Sequence, residues 1–127
     1  MNGLSKTRWA VLATGFLFLG CAVAMTTLAV EKMEARPGQY PDTIRVGQTL
    51  EFQAVALDPS GGEISSPGAA NLPNWSVDNP ENCRVTPHEG MKVTLKGVAA
   101  GSCELTFRAK VRVGLNTVIV WSGKVRE

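Results

Sequence analysis

Two runs of strict apolar–polar alternation, one on each side of residues 97–102, most constrain what this chain can become. Before the break Met91, Val93 and Leu95 point one way and Lys92, Thr94 and Lys96 the other. After it Cys103, Leu105, Phe107, Ala109, Val111 and Val113 oppose Glu104, Thr106, Arg108, Lys110 and Arg112. A period of two belongs to a strand with one dry and one wet face, whereas a helix needs a period near 3.6. The small residues between the runs, bracketed by Gly97 and Gly101, suit a sharp change of direction. The pattern predicts an all-β domain, with its core on the Leu95–Phe107 side of these strands.

The remaining segments extend that reading. Residues 43–46 predict an edge strand, Gly47 and Gln48 a turn, and residues 49–57 a strand with Leu50, Phe52, Ala54 and Ala56 inward. Asp58, Pro59, Gly61 and Gly62 make a turn, because Pro presets φ and Gly accepts positive φ. Residues 65–73 are expected to be the longest irregular loop. Trp75, in a short strand at 74–77, is expected at the centre of the core rather than as an exposed stacking platform. Next comes a strand with Cys83 and Val85 inward, then a tight turn at residues 87–90. Residues 114–116 are expected to turn into a last strand over 117–125. Its run Val118, Ile119, Val120, Trp121 is apolar on both sides, which marks it as a possible interaction edge.

The N-terminal part is of a different kind. Lys6 and Arg8 lie in a basic flank, residues 1–8, expected in the cytoplasm, ahead of 22 uncharged residues, 9–30. As a helix such a run spans a bilayer, so one N-terminal hydrophobic helix acting as a signal-anchor is the first reading. Two others stand beside it: a signal peptide cleaved after Ala22-Val23-Ala24, and a lipobox that acylates Cys21. All three export the rest of the chain. Residues 31–42, with Pro37, Gly38 and Pro41, are expected to be a linker, and residues 43–127 the folded domain.

Export gives the cysteines meaning. Cys83 and Cys103 are the only two in the folded part, and an even pair in a small oxidised β domain is expected to form a disulfide. Closing that loop stabilises by roughly 3 kcal/mol in the chain-entropy model. A metal site lacks ligands, since His88 is the sole histidine. Residues 78–82 offer carboxylates and amides but not the alternating pattern of a calcium loop. No cofactor and no metal is therefore expected. One histidine supplies neither a Ser-His-Asp nor a Cys-His set, and the acids are scattered, so the expected function is not enzymatic. Charge argues against nucleic acid: from Glu31 onward the chain carries eleven Lys and Arg against eleven Asp and Glu. The one basic stripe, Arg108, Lys110 and Arg112, is a candidate for an anionic surface, although such stripes are more often merely solvated.

Several motifs lie in a familiar order: Val46-Gly47-Gln48-Thr49-Leu50-Glu51-Phe52-Gln53-Ala54, then Trp75-Ser76 with Asp78-Asn79, then Val85 and Gly90. Gly97-Val98-Ala99-Ala100-Gly101-Ser102-Cys103-Glu104-Leu105 completes them. Over residues 43–127 the chain resembles the bacterial immunoglobulin-like modules of group 2, found in surface proteins that include adhesins of the intimin and invasin type. The resemblance implies an immunoglobulin-like Greek-key sandwich of about seven strands. It departs from the generic pattern in the cysteine pair and in the long loop before Trp75. Two roles at the bacterial cell envelope are then expected. One is an anchored accessory or structural subunit, held by the membrane through its N-terminal segment and joined to a protein partner or surface polymer. The other is adhesion or carbohydrate recognition by the sandwich loops.

Overall fold

The computed structural model describes residues 29–127. The basic flank, the apolar segment as far as residue 28, and Cys21 lie outside the described residues. Nine strands run in the order β1 (Lys32–Ala35), β2 (Thr43–Arg45), β3 (Thr49–Leu57), β4 (Glu63–Ile64), β5 (Asn74–Val77), β6 (Cys83–Thr86), β7 (Lys92–Gly97), β8 (Gly101–Val111) and β9 (Gly114–Arg126). A single 3-10 turn, Ala69–Asn71, interrupts the loop before β5. The strands form two sheets: β1-β3-β7-β6, with β4 added to β3, and β2-β9-β8-β5. All pairings are antiparallel except that of β2 with β9.

The alternation of the sequence becomes the two inner faces. Met33, Phe52, Ala54, Ala56, Val85, Val93 and Leu95 come from the first sheet. Ile44, Trp75, Leu105, Phe107, Ala109, Trp121 and Val125 come from the second. Fully burying a side chain of this class contributes about 1.5–3 kcal/mol, so this layer supplies most of the favourable free energy. Trp75 sits at its centre as expected, its ring 4.9 Å from that of Phe107 in a tilted pair. Its Nε1–H donates to the Gly90 carbonyl at 2.8 Å, so the buried indole leaves no donor unpaired. The Cys83–Cys103 disulfide is formed, with Cα atoms 6.3 Å apart. It joins β6 of one sheet to β8 of the other.

Three boundaries differ from the sequence expectation. Residues 32–35 of the expected linker form β1 and pair with residues 54–57 of β3. Met33 is fully buried, and Val30 is only 1% exposed, so the domain begins well before Thr43. Pro37, Gly38 and Pro41 belong instead to the crossing that carries the chain from the first sheet to β2 in the second. Val113, expected inward, lies with Arg112 in the two-residue turn between β8 and β9, where it is 77% exposed. The strand after that turn starts at Gly114, whose φ of 139° an L side chain adopts only with strain.

The third difference explains the apolar run in β9. Leu105 faces Trp121 and Thr106 faces Ile119, so Val120 is an extra residue in β9, a β-bulge. The bulge shifts the alternation by one position. Val118 before it, Val120 itself, and Trp121 and Val125 after it all turn toward the core.

The glycine corner also has a clear cause. The carbonyl of Asn82 accepts from Val98 and Ala99, and the Asn82 side chain donates to Ser102 O at 2.9 Å. Gly101 has φ of 147°, and a Cβ there would overlap the Asn82 amide. The crossings between β5 and β6 and between β7 and β8 are thereby locked together at one end of the sandwich.

Candidate functional site

The residues of the expected interaction edge have different surroundings. Trp121 is core: it is 6% exposed, and its Nε1–H donates to Pro41 O at 2.9 Å. Val118 and Val120 are half-buried against that core, and only Ile119 is open, at 63% exposure. Residues 78–82 do not present a free polar loop. Asp78 Oδ1 accepts from the Glu104 N–H at 2.7 Å, and Asn79 donates to Ser102 O at 3.1 Å, so these groups serve the corner. Among the described residues no three of His, Cys, Asp and Glu converge to hold a metal ion.

The basic stripe is the part that grows. Inward Phe107 and Ala109 put Arg108 and Lys110 on the outer face of the second sheet. Arg112 leaves that face at the turn and donates from Nε to Glu31 Oε1 at 2.9 Å. The register brings in distant partners. Inward Ile44 and Val125 turn Arg45, Lys124 and Arg126 to the same outer face, where Thr43 pairs with Lys124 and Arg45 with Arg126. Five cations therefore share one sheet face with Glu104 and with Glu89, which is bridged to Asn74 at the β5 edge. This leaves six Lys and Arg against nine Asp and Glu on the rest of a domain that is neutral in total.

Sequence reasoning missed Arg45, Lys124 and Arg126. They come from a three-residue strand and from the far side of the bulge, and only the parallel β2–β9 pairing puts them together. The phase of β9 after Trp121 was the available signal, but an unrecognised bulge scrambles it.

The rest of the face is Ser, Thr and Asn, with two exceptions. Leu115, 61% exposed, lies across from Lys110, and Ile119 lies across from Thr106. Near the β8–β9 turn the face is concave, since the 3-10 turn packs over it and Asn71 Nδ2 donates to Lys110 O at 2.9 Å. Leu72, Arg108, Lys110 and Leu115 line this hollow, with Glu89 also present in its wall. A second groove, of about 380 Å³, crosses the other sheet beside Arg36, Tyr40, Gln53 and Lys92. Its aromatic ring is engaged already: Tyr40 stacks on Phe52 with centroids 4.4 Å apart.

The chain reaches the second sheet's face from one side. The Arg112 N–H donates to the Val30 carbonyl at 2.8 Å, so residue 30 enters the sandwich directly beside the β8–β9 turn. No helix among the described residues is long and apolar enough to cross a membrane.

No protein-family model matches the chain, and no curated protein matches it in sequence. Solved structures do match in fold. Domains 4 and 5 of the S-layer protein SbsC superpose with a TM-score of 0.57 at 21% identity, over 77% of this chain and 53% of that one. Domains 1–6 of surface layer protein SbsC give 0.56 at 22%, over 76% of this chain and 13% of that one. The S-layer protein rSbsC(31-844) gives 0.55 at 22% over the same shares. The chain thus spans about half the length of the first and a small part of the others, and at these identities the likeness is one of fold: an all-β, two-sheet sandwich of the kind found in these surface-layer proteins.

Proposed function

We propose that this chain is a non-catalytic, exported immunoglobulin-like module that acts as an anchored structural or interaction subunit of the bacterial cell envelope. The observation that carries this reading is the way residue 30 joins the fold. The last residue of the apolar sequence segment is itself core, and Glu31 donates its N–H to Leu57 O at 2.8 Å. No free stalk separates segment from sandwich. Residues 9–29, if helical, span roughly 30 Å and so match a bilayer core, which puts the domain against the membrane surface.

Strand order supports the finer fold name. With β1, β3, β7 and β6 in one sheet and β9, β8 and β5 in the other, the arrangement has the ABED and GFC order of constant-type immunoglobulin sandwiches. The disulfide departs from that type, since it joins the strands in the D and F positions. That the fold neighbours are surface-layer proteins accords with a place at the cell surface. The group 2 resemblance belongs to the same reading. The alternative, adhesion or carbohydrate recognition, has the groove beside Arg36, Tyr40 and Lys92 in its favour.

Intact mass of the protein isolated without reductant from membrane and soluble fractions of its host tests the anchored reading. A full-length species in the membrane, lighter than the reduced chain by the two hydrogens of one disulfide, is expected. A soluble species beginning near Met25 would replace the anchored subunit with a free module, and an acylated fragment beginning at Cys21 would make it a lipoprotein.

A further inference from the structure

The charge on this domain is segregated, and the segregated face has the shape of a surface contact rather than a pocket. Arg108 and Lys110 form one cluster near the β8–β9 turn; Arg45, Lys124 and Arg126 form another at the opposite end. Lys124 is level with Ser102, six residues from Arg108 along β8, a distance of roughly 20 Å at the rise of a strand. That exceeds two Debye lengths of about 8 Å at physiological salt, so a compact anion engages one cluster only. An extended anionic surface engages both. Between and beside the clusters stand Ile119 and Leu115, with Val113 at the end of the face, three of the five large apolar side chains exposed among the described residues. A hydrophilic polyanion gains nothing from these, whereas the headgroup–acyl boundary of a bilayer accepts them. The chain enters at Val30, at the margin of this face, from a segment long enough to lie in a bilayer.

From this geometry we infer that the outer face of the second sheet lies flat on an anionic lipid surface. Arg45, Arg108, Lys110, Lys124 and Arg126 meet lipid phosphates, and Leu115 and Ile119 meet the acyl boundary. The short connection at Val30 keeps the local lipid concentration high, so contacts that are weak singly suffice to hold the domain down. The inference rests on the membrane-anchored reading for its tether, but the face itself is separately testable.

The full chain is mixed with vesicles of phosphatidylcholine alone and of phosphatidylcholine with phosphatidylglycerol, and flotation is followed. In bilayers carrying a headgroup spin label, the methyl signals of Leu115 and Ile119 are compared with those of Leu57, which faces out from the other sheet. Incorporation into both lipids, with Leu115 and Ile119 attenuated and Leu57 spared only where phosphatidylglycerol is present, is the expected result. Each cation near an anionic leaflet is worth about fivefold in binding, so Lys110→Glu with Lys124→Glu should lower the docked-to-undocked ratio by roughly twentyfold or more. A chain that floats only with phosphatidylglycerol keeps the docking face and removes the anchor. Attenuation that is equal on both sheets, absent, or indifferent to lipid charge overturns the docking face while leaving the anchor standing. A response of Leu115 and Ile119 to soluble polyphosphate but not to lipid overturns it in favour of a polymer. Flotation with neither vesicle overturns both.

Discussion

Ile119 and Trp121 are two residues apart in one strand, and the fold gives them opposite fates. Trp121 lies in the core with its indole donor paired to Pro41 O, so Trp121→Glu buries a charge with no partner and leaves a large void. Loss of a buried Trp costs about 3–5 kcal/mol before the charge is counted, a large part of the 5–15 kcal/mol a domain possesses. Urea denaturation should show that variant unfolded or nearly so. Ile119→Lys changes an open position and should leave the urea midpoint where it was; a comparable loss would mean that Ile119 is covered. Asp58 provides a second test at this scale. The Ser60 hydroxyl, with the amides of Gly62, Ser60 and Gly61, holds its carboxyl below the ordinary aspartate value. A depressed folded pKa stabilises the fold above the unfolded value and loses that contribution as pH falls through the folded one. The turn between β3 and β4 should therefore weaken below about pH 4. Asp58→Asn, which keeps the acceptor oxygen, should remove the pH dependence of the Gly62 amide shift in NMR.

Among the elements, β9 shows most plainly what a sequence reveals and what it conceals. The alternation of β3, β7 and β8 was legible because each keeps one phase from end to end, and inward Phe52, Leu95 and Phe107 follow from counting by twos. In β9 the same counting fails at Val120, because a bulge adds a residue without leaving Gly or Pro to mark it. The apolar run then resembles an edge open on both faces, although the strand is flanked by β8 along its length and by β2 at its end. Deleting Val120 leaves Ile119 outward and Trp121 inward in unbroken alternation, so it should cost only the packing of one half-buried valine and leave the second sheet folded, with a dispersed NMR amide spectrum. The glycine corner was legible as a turn, but its reason was not, since Asn82 reaches it only in three dimensions. Gly101→Ala meets both a strained φ and the Asn82 amide, so it should cost more than the roughly 1 kcal/mol that a positive φ alone imposes on a non-glycine residue. Pairing it with Asn82→Ala removes the overlap and should recover part of the loss; a Gly101→Ala variant as stable as the parent would show that the corner yields freely.

For the molecule as a whole, the question of where the domain begins carries the most weight. Pro37, Gly38 and Pro41 give residues 31–42 the composition of a linker, and a four-residue strand with one apolar anchor, Met33, has too short a pattern to stand out against them. Burial supplies what the pattern lacks. Val30 and Met33 are core, and the Met33 N–H donates to Asn116 Oδ1 at 2.9 Å, closing the sandwich where the first sheet's edge meets β9. A chain beginning at Thr43 loses both side chains, four paired positions along β3 and that bridge between sheets. The two side chains alone account for about 3–6 kcal/mol, which is comparable to the whole stability of a domain this size. Such a chain should bind a hydrophobic dye and give collapsed amide dispersion in NMR, whereas one beginning at Ala29 should unfold in a single cooperative step. If the two instead share one urea midpoint, β1 is an ornament on a sandwich complete without it. The close seating against a membrane proposed for this domain would then lose its structural basis.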